Sequence, residues 1–180
     1  MSSKPVIIEN YNDDWPLKFL ELQEILSQHL GDLALSIEHV GSTSVPGLAA
    51  KPIIDLDIVI DSMELLSQVI EKLNNLGYIH EGDLGIENRE TFARTDDNVP
   101  YTKDVNQKAE HNLYVCNKES DALLKHITFR DILRKQPQLI EAYATLKQEL
   151  AERYKHNRED YTKGKTEFVI AVNNEYKHIL

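Results

Sequence analysis

The sequence predicts an α+β fold: a mixed β-sheet packed against helices, with a helical C-terminal third. Three observations predict it. Strand-like apolar runs are confined to the first two-thirds of the chain, and the last lies at residues 111–116. From Ser120 onward, apolar residues recur at helical spacing to the end. No internal repeat or Gly/Ser-rich linker divides the 180 residues, so they form one domain, 1–180, around a single core.

In chain order, Val6-Ile7-Ile8 is a short β-like run. Residues 17–30 place Phe19, Leu22, Leu26 and Leu30 on one helical stripe, stopped by Gly31. Residues 37–41 and 52–60 read as strands joined by a turn-rich 42–47. Asp61 with Glu64 has the spacing of a capping box, opening a helix through Leu65, Leu66, Val69, Leu73 and Leu76 before Gly77. Residues 78–80, 91–94 and 111–116 are further strands, and the polar 95–110 is a surface loop. Pro137 separates two helices, the second lined by Leu139, Tyr143, Leu146, Leu150 and Tyr154. Gly164 precedes a last helix carrying Phe168, Val172, Tyr176 and Ile179.

Bulk properties narrow the function. Twenty basic and 30 acidic residues give a net charge of −10 with no long basic stripe, which disfavours a nucleic-acid partner. The apolar run at 53–60 is broken by two aspartates, and the N-terminus lacks a signal-peptide pattern, so no membrane association is expected. The lone Cys116 needs no oxidising compartment and reads as an inert core thiol; a cytoplasmic location follows as the expectation. Trp15 reads as a packing anchor.

Chemistry concentrates between His39 and Asp57. Alternation along Ile53-Ile54-Asp55-Leu56-Asp57-Ile58-Val59-Ile60 turns Ile54, Leu56, Ile58 and Ile60 to one face, and Asp55 with Asp57 to the other. Carboxylates at i and i+2 converge, and aspartate is depleted from strands. A magnesium ion accounts for such a pair, because hard cations take oxygen ligands and retain phosphate and water. A solvated acidic edge strand accounts for it as well. Just upstream, Gly41, Ser42 and Thr43 offer close backbone approach and hydroxyls to a phosphate, and Lys51 a point charge. The other reading of that segment is a plain turn bent by Val45-Pro46-Gly47. A P-loop is absent, since Lys51 leads into a strand, and so are Gly-x-Ser-x-Gly and zinc-ligand spacings.

The block Gly41-Ser42-Thr43-Ser44-Val45-Pro46-Gly47-Leu48-Ala49-Ala50-Lys51-Pro52-Ile53-Ile54-Asp55 resembles the signature of the GrpB family, grouped with the nucleotidyltransferase superfamily. The resemblance continues through Leu76-Gly77-Tyr78, His111-Asn112-Leu113-Tyr114-Val115, Phe129-Arg130-Asp131-Ile132-Leu133-Arg134 and residues 161–168. It implies a nucleotidyltransferase-like fold in which Gly41 and Ser42 grip a triphosphate while Asp55 and Asp57 bind Mg2+. The implied activity is magnesium-dependent transfer of a nucleotidyl group from a nucleoside triphosphate to an unknown acceptor. Superfamily enzymes generally add a third carboxylate from a later strand. Here that strand begins His111-Asn112-Leu113-Tyr114, leaving Glu110, Glu90 or His111 as candidates, His111 as a base. The alternative is a non-catalytic module that binds nucleotide or stabilises another protein, and a carboxylate within reach of Asp55 and Asp57 discriminates the two. Arg130, Lys163 and Lys165 are weaker candidates for the triphosphate.

Overall fold

The computed structural model describes residues 5–179. Helix α1, Asp14–Leu30, buries Trp15, Phe19, Leu22, Leu26 and Leu30, the stripe expected from their spacing. Strands β1 (Ser36–Val40), β2 (Ile54–Ile60), β3 (Tyr78–Gly82), β4 (Arg89–Arg94) and β5 (His111–Asn117) form one mixed sheet in the order β1-β2-β5-β4-β3. Only β2 and β5 run parallel; the remaining pairs are antiparallel. Helix α2, Leu66–Asn75, returns the chain from β2 to β3.

One face of the sheet is apolar. Ile54, Leu56, Ile58 and Ile60 of β2 and Leu113 and Val115 of β5 join the α1 stripe and Val69 and Leu73 of α2 in the main core. The opposite face carries α3, Asp121–Lys135, whose Leu123 and Ile127 pack on Val59 and Cys116. Beyond it lie α4 (Pro137–Arg153), α5 (Arg158–Gly164) and α6 (Thr166–Tyr176), the helical C-terminal third.

Two expectations change. Val6-Ile7-Ile8 is no strand: Val6 packs against Leu150, Ala151 and Tyr161, and the segment touches the β-structure through a single bridge, Glu9 with Ala50. The cap after β2 is Ser62, not Asp61. Ser62 has the extended backbone a cap requires, and its Oγ accepts from the Glu64 amide at 3.2 Å. Asp61 instead pairs with Lys118 at 2.6 Å. Among the described residues no helix is long and apolar enough to cross a membrane.

Candidate functional site

The turn after β1 is built around Gly41. Its φ of +70° suits glycine, and a Cβ there would lie 2.2 Å from Asp55 Oδ2. The missing side chain is therefore the space that the Asp55 carboxyl occupies. Ser44 Oγ donates to the Gly41 carbonyl at 2.6 Å, tightening the turn. Thr43 is spent on structure: its hydroxyl donates to the Ile53 carbonyl at 3.3 Å and faces His39 Nε2 at 3.0 Å. Burial lowers His39 to about 4, so the ring is neutral and Nε2–H is the donor to Thr43.

Register puts Val40 opposite Asp55 and Glu38 opposite Asp57, with Asn112 and Tyr114 of β5 beside the two aspartates on the other flank. Asp55 and Asp57 share a face, yet their surroundings differ. Asp55 is half-buried at the wall of a cavity of about 290 Å³. Its Oδ1 accepts from Asn112 Nδ2 at 2.7 Å, and desolvation raises its pKa despite that bond and the nearby Lys165 and Lys51. Asp57 is fully buried under α3, where its Oδ2 accepts from His126 Nδ1 at 2.7 Å. Its Oδ1 is buried with no partner among the described residues.

Across the cavity stand four cations: Lys51 before β2, Lys147 of α4, Arg158 of α5 and Lys165 at the α5–α6 junction. Lys51 and Lys165 lie over the Tyr161 ring, 5.2 and 4.8 Å from its centroid. Lys147 is 1% exposed; its Nζ donates to the Ala49 carbonyl and lies 4.8 Å from the Tyr143 ring centroid. Desolvation, then repulsion from its cationic neighbours, lowers Lys147 to about 7 and Lys51 to about 8. Lys165 is lowered too, again mainly by burial. Among the described residues none of the four has a carboxylate oxygen within 4.0 Å. This is a pocket that accumulates positive charge in a protein of net charge −10.

The remaining candidates do not converge there. His111 points to the opposite, apolar face, where Tyr78 donates to its Nε2 at 2.7 Å and its Nδ1–H bonds the Ala109 carbonyl at 2.7 Å. Burial lowers it to about 4. His111 is thus a satisfied core histidine, separated by the sheet from Asp55. Glu90 also lies on that face, paired with His80 at 2.6 Å. Glu110 is exposed and offers the sheet only its carbonyl, which accepts from Ile54. Arg130 is committed to Glu38, Asp131 and the His39 carbonyl, and Lys163 to Glu159. A larger cavity, about 490 Å³, opens between α1, β1 and α3, where Gln23 donates to the Ile37 carbonyl and Arg130 to Glu38.

Asp55 Oδ2 and Asp57 Oδ1 accept no hydrogen bond among the described residues, and such oxygens suit one hard cation completed by phosphate and water. They do not make a self-sufficient centre. Among the described residues no three His, Cys, Asp or Glu side chains gather at one point, and the β5 residue beside Asp55 is Asn112, an amide.

Residues 5–175 match the family described as GrpB protein. The glutamate-rich protein GrpB of Alkalihalophilus pseudofirmus is 32% identical over 171 residues, covering 94% of this chain and 95% of that protein. The YqkA protein of Bacillus subtilis is 35% identical over 159 residues, 88% of this chain; the match spans only 43% of YqkA. Among solved structures, the conserved protein GrpB from Enterococcus faecalis superposes with a TM-score of 0.79 at 28% identity, covering 96% of this chain and 98% of that one. The structure of Cid1 in complex with a UTP analogue aligns with a TM-score of 0.45 at 14% identity, over 78% of this chain and 44% of that chain. With a full-length family match and a relative of equal extent, the chain belongs to the GrpB family.

Proposed function

We propose that the chain binds the polyphosphate of a magnesium nucleotide in the cavity between β2 and the C-terminal helices. The observation that carries this reading is the group of four cations, without carboxylate partners, facing Asp55 across about 290 Å³. Holding like charges together while withdrawing them from water is costly, and a bound polyanion relieves both costs. Lys51, Lys165 and Arg158 would meet the phosphate oxygens, and the Gly41–Ser42 backbone would approach them closely. Asp55 Oδ2 and Asp57 Oδ1 would hold the magnesium, which supplies neutralisation of phosphate charge. Asp57 Oδ1 is buried beneath α3 here, so its ligation of the ion would require α3 and His126 to shift.

A second reading, nucleotidyl transfer to an acceptor, is favoured by Asp55 and Asp57 sharing one face of β2, with Asp55 at the cavity wall. Against it stands Asn112, an amide that can neither ligate a second metal as an anion nor take a proton from the attacking group. Binding without turnover is therefore the primary reading. Melting curves with inorganic triphosphate, then with ATP, GTP, CTP and UTP plus magnesium, test it, because a ligand selective for the native state raises its stability. Stabilisation without pyrophosphate release supports the binding module, and release supports transfer. A folded protein that responds to none of these at millimolar concentration overturns both.

A further inference from the structure

The face that carries Asp55 and Asp57 does not end at β5. It continues onto β4 through Arg89 and Thr91, set in register with Cys116 and Tyr114 respectively. Both residues are half-buried. The Arg89 guanidinium lies 4.6 Å from the centroid of the Tyr114 ring, and stacking of this kind fixes the plane of the guanidinium. Tyr114 is also a wall of the cationic cavity, so the one ring borders that cavity and carries Arg89.

Two donors are left over here. Arg89 Nε and Thr91 Oγ1 are both buried, and neither has a hydrogen-bond partner among the described residues. Arg89 also has no carboxylate oxygen within 4.0 Å among those residues, although arginine stays charged at any physiological pH. Strand geometry sets their Cα atoms ~7 Å apart on one side of β4. Buried donors of this kind are rarely left without an acceptor, and an arginine fork beside a hydroxyl matches the geometry of an oxyanion. One guanidinium and one hydroxyl suit a single carboxylate or phosphate group rather than a polyphosphate.

We propose that Arg89 and Thr91, backed by Tyr114, form a second anion subsite, which takes the carboxylate or phosphate group of a small molecule bound beside the nucleotide cavity. That this molecule accompanies a nucleotide rests on the function proposed above. The subsite itself rests on the geometry of β4 and β5 alone.

The Arg89 Nε–Hε resonance in 15N-labelled protein reads the site directly. Arg89→Lys assigns it by its disappearance, and inorganic phosphate and acetate are then titrated separately. The expected result is a saturable shift of that one resonance, with the tighter anion naming the chemistry. Thr91→Val, close to isosteric, should weaken the anion several-fold in a protein that melts normally. Lys165→Ala should leave the Arg89 titration unchanged while weakening nucleotide binding about tenfold. An Arg89 resonance that neither anion moves would falsify the subsite. Loss of the shift in Lys165→Ala would overturn it too, by assigning the anion to the larger cavity. Should Arg89 titrate while no nucleotide binds, the subsite stands and its companion role falls.

Discussion

Strand β2 has two faces made from one alternating run, and they are built to opposite ends. On the first, Leu56, Ile58 and Ile60 are each fully buried among α1 and α2, with no polar group to satisfy. On the second, burial opposes the charge of Asp55, and Asp57 keeps an unpartnered oxygen among the described residues. The apolar face is optimised for stability. The polar face keeps unrelieved costs, as sites that depart from local rules commonly do.

The comparison predicts that substitutions on the two faces move different observables. Leu56→Ala should destabilise the protein by about 2–5 kcal/mol, the usual cost of a cavity in a packed core, without changing the ligand affinity of the folded fraction. Urea melts paired with titration check both halves. Gly41→Ala breaks the separation on purpose, because it strains the backbone and drives a methyl group into Asp55. A loss of about 1–3 kcal/mol, together with loss of triphosphate binding, is expected.

Lys165→Ala should lower triphosphate affinity about tenfold, the order of one charge-assisted contact, and leave stability unchanged or slightly higher because one repelled cation is gone. Calorimetry on parent and variant measures the first, melting the second. Asp55→Asn should change stability only slightly. A raised carboxyl pKa means that its stabilising contribution is complete below its ordinary 3.8 and is lost as pH rises through the folded value. Above the folded pKa the ionised group is therefore a cost, which the amide lacks. The variant should equal or exceed the parent in stability by up to about 1 kcal/mol at neutral pH, and the gap should close on acidification. A variant markedly less stable at pH 7 would mean that Asp55 acts as an ordinary structural carboxylate.

Much of this was legible in the sequence, for physical reasons. Period-two alternation separates Ile54, Leu56 and Ile58 from the aspartates without reference to any partner strand. Stripes at helical spacing find α1, α2 and α4 in the same way. The same alternation marks His111 as a core residue, since it shares its parity with Leu113 and Val115, whereas Asn112 and Tyr114 face the aspartates. Lys147 carries a comparable signal: it falls with Tyr143, Leu150 and Ala151 on the buried side of α4, a place where lysine is rare. Neither His126 over Asp57 nor the convergence of Arg158 and Lys165 on Lys51 has a local signature. Both depend on how α3, α5 and α6 dock, and the insertion of β5 between β2 and β4 is likewise a non-local pairing. Sequence spacing is silent on such placements.

Tyr161 has a consequence for the behaviour of the chain as a whole. Its ring carries Lys51 from the sheet side and Lys165 from the helical side, so the two cations meet on one aromatic platform. Lys147 reaches back in the same way to the Ala49 carbonyl. A polyanion in the cavity would be gripped from both halves at once and would act as a non-covalent cross-link between the sheet and the C-terminal helices. Amide exchange would then slow most in α5 and α6, well away from the aspartates, because opening those helices would require letting go of the ligand.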